Sequence, residues 1–188
     1  MKKIALATVM ALALATSAMA VEVKIEAQDS NGQNGTASQR VYELGLKQKL
    51  NDNFAGDIIV KNYRTDGTDA LSTRYEAGLT AGAPITGPLS GYTRVAIGEK
   101  YKSGSAGYGY YSVEPGLGVA FSYFPGLSAS VGYRFQDAFA DGKSDLTRTW
   151  RTKVGYDLTK VDNVYVGYDV QRGDSDANIA KIGYIRRF

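Results

Sequence analysis

The sequence predicts an all-β chain folded as a single antiparallel transmembrane β-barrel of about ten strands. Three observations predict it. Apolar and polar residues alternate strictly in segment after segment, the period of a strand with two unlike faces. The polar face carries dense charge of both signs: Glu43 and Lys47, Asp57 and Lys61, Arg74 and Glu76, and Arg151, Lys153 and Asp157. The number of segments is even, which puts both ends of an antiparallel barrel on one side, as closure from the periplasm requires.

The 188-residue chain opens with MKKIALATVMALALATSAMA, which has two lysines, a mostly apolar run from Ile4 to Ala15 and the small-residue triplet Ala18-Met19-Ala20. That is the layout of a cleaved secretory signal peptide, with the cut expected after Ala20. The rival is a membrane-anchoring helix, disfavoured because the segment is short and is broken by Thr8, Thr16 and Ser17. Residues 1–20 are assigned to the signal and 21–188 to the barrel. No later stretch approaches the roughly 20 apolar residues of a spanning helix.

The first strand, 21–29, begins VEVKIEA, with Val21, Val23, Ile25 and Ala27 on one face and Glu22, Lys24 and Glu26 on the other. Further strands are expected at 38–50, 54–64, 71–82, 89–101, 108–121, 127–137, 146–158, 164–172 and 179–188. The ninth repeats the pattern with Val164, Val166, Tyr168 and Val170. Most approach the ~9–11 residues that a tilted strand needs to cross a bilayer. The connections alternate between two kinds. NDN (51–53), APITGP (83–88), SYFPG (122–126) and TKVDN (159–163) belong to the end that carries the termini. SNGQNGTA (30–37), TDGTDA (65–70), KSGSAG (102–107), AFADGKS (138–144) and GDSDA (173–177) form the other set, slightly longer and richer in Asp, Gly and Ser. No linker interrupts this meander of hairpins.

Alternation alone leaves open which face is inside: a soluble periplasmic sandwich would bury the apolar face, and a membrane barrel turns it to lipid. The C-terminal KIGYIRRF favours the barrel. It resembles the insertion signal of bacterial outer-membrane barrel proteins, a polar residue, then glycine, then apolar positions ending in an aromatic. Lys181, Gly183 and Phe188 match, while Arg186 stands where a hydrophobic residue is usual. The resemblance implies that Gly183, Tyr184 and Phe188 are read by the barrel-insertion machinery. It also implies a place in the outer membrane of a Gram-negative cell, among its lipids and lipopolysaccharide. Tyr42, Tyr101, Tyr111 and Tyr156 near strand ends suit interfacial aromatic girdles. Glu99 and Arg148 fall on the lipid face, near outer strand ends where a charge is cheap.

Composition excludes several kinds of chemistry. With no histidine in the sequence, Ser/His and Asp/His catalytic sets are ruled out. With no cysteine either, no His- or Cys-built metal site and no disulfide is expected. The carboxylates Glu22 and Glu26 share one strand face with basic neighbours and read as ion-pair lining rather than an acid/base couple. GLG (116–118) has no helix after it, so a phosphate cradle is not indicated. No enzyme activity, cofactor or nucleic-acid partner is expected. The loop aspartates Asp66, Asp69, Asp141, Asp145, Asp174 and Asp176 are turn formers, and bridging of divalent cations at a lipopolysaccharide surface is the alternative.

The inward face is the candidate site. Twelve basic residues (Lys24, Lys47, Lys49, Lys61, Arg74, Arg94, Lys100, Arg134, Arg151, Lys153, Lys181 and Arg187) face eight acids (Glu22, Glu26, Glu43, Asp57, Glu76, Glu114, Asp157 and Asp169). A bore with that excess and acidic rims would favour anions; the alternative is a core closed by charge pairing. About eight strands leave an interior that side chains just fill, so ten strands allow at most a narrow path. Glycine recurs inward before an outward tyrosine at Gly132, Gly155, Gly167 and Gly183. It permits strand bending or an overlying ring, or else widens the bore.

The stretches YYSVEPGLG (110–118), VGYRFQD (131–137) and TWRTKVGYDL (149–158) resemble those of the oligogalacturonate-specific porin family. That family forms narrow outer-membrane barrels with basic lumens that pass acidic oligosaccharides. The resemblance implies transport of small anions or acidic oligosaccharides, with Arg74, Arg94, Arg134 and Arg151 meeting solute carboxylates. Lys47, Lys61, Lys153 and Lys181 complete the expected solute-facing set. A non-conducting structural or surface-interaction barrel with an ion-paired core remains the alternative.

Overall fold

The computed structural model describes residues 20–68, 71–102, 106–139 and 144–188. The expected signal peptide lies outside these residues except for Ala20. The strands are β1 (Val21–Gln33), β2 (Gln39–Lys49), β3 (Phe54–Thr65), β4 (Leu71–Thr86), β5 (Leu89–Lys102), β6 (Tyr108–Ala120), β7 (Leu127–Ala138), β8 (Thr147–Asp157), β9 (Asp162–Gly173) and β10 (Asp176–Arg187). Each pairs antiparallel with its sequence neighbours, and β1 pairs with β10, so the sheet is a closed barrel with no free edge. The seam runs from Glu22 opposite Arg187 to Gln33 opposite Asp176. The amide of Phe188 extends it by donating to the carbonyl of Val21 at 2.8 Å.

The expected all-β barrel of ten strands is the observed fold. Three strands outrun their expected ends most: β1 continues to Gln33, β4 to Thr86, and β10 begins at Asp176. In β1 and β10 the Asp, Ser and Asn residues carry turn propensity, yet pairing across their seam holds them extended; the end of β4 is held by pairing with β5. On the terminus-bearing end the turns are tight. Asn51 accepts from the amides of Asn53 and Phe54 at 2.9 Å each, the side-chain mimic of a backbone turn. Gly126 has φ +86, a conformation that a side chain would strain.

Inside and outside are inverted relative to a soluble protein. Among the described residues, sixteen polar or charged side chains are buried against five hydrophobic ones. The outward positions Ile25, Ile97, Val166 and Ile182 are each about 60% exposed, at 59, 61, 57 and 62%. A sandwich in water buries its apolar face because removing that surface from water drives folding. Here the apolar face is the exterior, which excludes the soluble sandwich and fits a lipid-facing belt.

Candidate functional site: a charged lumen

The register brings opposite charges together across strands rather than along them. Glu43 on β2 stands opposite Lys61 on β3, and their charged atoms lie 2.5 Å apart; Lys24 on β1 closes on the same carboxylate. Arg94 on β5 bridges Asp57 on β3 at 2.5 Å and Glu76 on β4 at 2.6 Å. It does so by lying across Gly78, where a Cβ would fall 2.5 Å from the guanidinium. Glu76, 2% exposed, also accepts from Arg134 at 2.5 Å and from the Tyr110 hydroxyl at 2.8 Å. Arg151 reaches Glu114 at 2.6 Å and Asp169 at 3.3 Å, and Lys181 meets Asp169 at 2.6 Å. Buried charges persist only when paired and hydrogen-bonded, and this belt satisfies nearly all of them.

Three inward tyrosines repeat one device. Tyr92, Tyr110 and Tyr165 sit directly opposite Gly116, Gly98 and Gly183. Each ring occupies the space that the glycine's Cβ would need. Their hydroxyls donate to Glu114 at 3.3 Å, to Glu76 at 2.8 Å and to Glu26 respectively. These glycines therefore seat rings and do not widen the bore.

The belt divides the interior unequally. On the terminus-bearing side a cavity of about 790 Å³ is lined by nine basic and seven acidic residues. Beyond the belt a cavity of about 100 Å³ remains. Lys61, Arg134 and Arg151 line both, so one layer of long cationic side chains separates the two spaces. Of the eight residues expected to face solute, Lys47, Lys61, Arg94, Arg134, Arg151, Lys153 and Lys181 line the larger cavity. Arg74 lies beyond the belt, beneath the rings of Tyr110 at 4.8 Å and Tyr63 at 5.4 Å. Lys47 and Lys153 make no ion pair among the described residues; Lys153 lies 5.3 Å from the Tyr165 ring. Lys49, expected inward, sits at the rim, where it holds Asp52 at 2.7 Å and lowers the Asp52 carboxyl from its ordinary range.

Asp145 is the main departure. Its place among the loop aspartates predicts a turn former, but its side chain enters the barrel, 5% exposed, near Arg74 and Lys100. Loop residues carry no period, so nothing in the sequence marks it. The rings of Tyr110 and Tyr165 share parity with Glu114 and Asp169 on their own strands, so strand parity does mark them as inward. Asp174 and Asp176 keep the turn role: Asp174 accepts from the Leu146 amide at 2.8 Å, and Asp176 from the Gly173 amide at 2.9 Å. Asp69 and Asp141 lie outside the described residues. At the C-terminus, Tyr184 donates to Asp162, and Arg186 pairs with Asp162 at 3.5 Å while lying over the Phe188 ring at 5.6 Å. The unexpected arginine is thus neutralised at the rim.

Fold and lumen together define a small barrel of the outer-membrane type. No protein-family model matches the chain, and no curated protein matches it. Among solved structures it is similar to the β domain of the Bordetella autotransporter BrkA, with a TM-score of 0.54, 10% identity, and 90% of this chain and 99% of that one covered. It is also similar to the NanC porin, with a TM-score of 0.50, 14% identity and coverage of 89% and 98%. A KdgM porin aligns with a TM-score of 0.48, 13% identity and coverage of 90% and 99%. At such identities the likeness is one of fold.

Proposed function

We propose that this protein is a narrow outer-membrane channel that prefers small anions, acidic sugars among them. The observation that carries this reading is the single cationic layer. A large vestibule and a small outer cavity both end on Lys61, Arg134 and Arg151. A solute crossing between them meets these three cations together with the carboxylates that pair them, Glu43, Glu76, Glu114 and Asp169. The vestibule adds Lys47 and Lys153, which make no ion pair within 4.0 Å among the described residues, and low-dielectric walls focus the field of such charges. The terminus-bearing end is assigned to the periplasm and the aspartate-rich loops to the cell surface, in contact with lipopolysaccharide. The C-terminal strand is the segment that the insertion machinery reads. The role is non-catalytic, in keeping with a sequence that has no histidine.

A sealed, non-conducting barrel is the second reading. It is favoured by the outer cavity of only about 100 Å³. Current across a planar bilayer containing refolded protein separates the two. Discrete steps with an anion-directed reversal potential, weakened in Arg134→Ala and Arg94→Ala, support the channel. Silence from folded protein, persisting when lumen side chains are shortened, supports the sealed barrel.

A further inference from the structure

We propose that Arg74 and Lys100 form a carboxylate-binding site at the loop-side mouth of the barrel, which Asp145 occupies as a tethered stand-in for a solute carboxylate. The proposal rests on the channel reading and adds what closes the mouth at rest.

Four observations point to it. Asp145 belongs to a loop segment, yet its carboxylate is inside the barrel. Its carboxylate accepts a 2.5 Å hydrogen bond from the Gln136 amide, but its ion pairs are loose, at 3.7 Å to Arg74 and 3.8 Å to Lys100, whereas belt pairs such as Lys61–Glu43 and Arg94–Asp57 close to 2.5 Å. A backbone tether sets that distance: Leu146 exchanges hydrogen bonds with Asp174, the amide of each donating to the other at 2.8 and 2.9 Å. Finally, Arg74 is under-used. Its Nη1 donates to Gln136 at 3.0 Å, but its Nε is buried with no hydrogen-bond partner.

The edge of Arg74 formed by Nε and Nη2 is the one that grips a carboxylate through both oxygens. Asp145 cannot reach it squarely from its tether. A free carboxylate could, with Lys100 as the second cation. The cavity there holds about 100 Å³ and is lined by both Arg74 and Lys100, so a solute carboxylate that enters it competes with Asp145 for the same two cations. Binding and opening are therefore one event, and the energy of displacement is the difference between two carboxylates in the same pocket.

The test uses the refolded protein and glutarate, a short dicarboxylate, as the probe. Asp145→Asn should at least double single-channel conductance and move the reversal potential further toward the anion side. Glutarate should block or modulate its current at a concentration at least tenfold lower than in the wild type. Conductance and glutarate response unchanged from the wild type would overturn the stand-in while leaving the channel intact. A silent wild type with a conducting Asp145→Asn variant would support both. If both are folded and silent, the channel reading fails, and calorimetric titration in detergent judges the pocket alone. Tenfold tighter glutarate binding to Asp145→Asn, lost on adding Arg74→Gln, supports the pocket, and equal weak binding throughout overturns it. Asp145→Ser gives the same readouts if Asp145→Asn does not refold.

Discussion

Tyr110 donates a 2.8 Å hydrogen bond to Glu76 while its ring lies over Gly98, the residue directly opposite on β5. A single side chain thus fills the notch left by a glycine and ties two strands to the charged belt. Tyr110 is 0% exposed, so neither contact can be replaced by water. Gly98→Ala would force the ring aside, because the new methyl meets both its hydroxyl and the Tyr75 carbonyl. Overpacking of this kind costs about 1–3 kcal/mol. Urea unfolding of the refolded barrel should show that loss, and Tyr110→Phe, which keeps the ring, should lose only about 1 kcal/mol.

Glu76 holds two guanidinium groups, and they do not depend on it equally. Arg94 keeps Asp57 if Glu76 is neutralised, but Arg134 then has no carboxylate within 4.0 Å among the described residues, only the Gln136 amide oxygen at 3.1 Å. Breaking a buried pair by removing one partner costs about 3–5 kcal/mol. Glu76→Gln keeps the shape and some hydrogen bonding, so a loss of about 2–4 kcal/mol is expected. The same variant should increase anion preference in bilayer recordings, since one negative charge leaves the narrowest layer. A stabilised variant, or one turned toward cations, would contradict both the belt and its role.

Lys47 and Lys153 give the opposite prediction. Each is exposed and lines the vestibule, and neither makes an ion pair among the described residues. Lys47→Gln and Lys153→Gln should therefore leave the unfolding midpoint nearly unchanged, within the ±0.5 kcal/mol or so typical of exposed sites. They should reduce anion preference, more at 0.1 M salt than at 1 M, because screening shortens from about 10 Å to 3 Å over that range. A selectivity indifferent to both lysines would place the filter elsewhere.

Strand parity carried most of this architecture. Glu43, Asp57, Arg94, Arg134 and Arg151 all point inward, where alternation puts them, because a one-residue slip would turn each to lipid. Which charges meet was not legible, since that depends on register between strands: Lys47 follows Glu43 on the same face, yet Glu43 pairs with Lys61. The size of the open lumen was not legible either. It depends on where Tyr92, Tyr110 and Tyr165 lie down, and hence on glycines one strand away. The sequence marks Asp145 only as one more loop aspartate, because a loop carboxylate that enters a barrel has no periodic signature.

The C-terminal residue separates assembly from stability. Phe188 continues the closing ladder through its amide, but the residue is 71% exposed, with the Arg186 guanidinium 5.6 Å from the centre of its ring. A ring so exposed contributes little to the folded state, and Phe188→Ala should shift the unfolding midpoint of refolded protein by less than about 1 kcal/mol. If the ring is instead a recognition element, the same variant should lower the amount of folded barrel in the membrane of living cells several-fold. The folded fraction can be read from its altered gel mobility before and after heating. Gly183→Ala separates the two effects from the other side. Its methyl would collide with the Tyr165 ring, so it should destabilise the refolded barrel as well. Equal loss from both variants in cells, with only Gly183→Ala weakened in vitro, would mark Phe188 as a residue read during insertion. Normal cellular assembly of Phe188→Ala would remove that role.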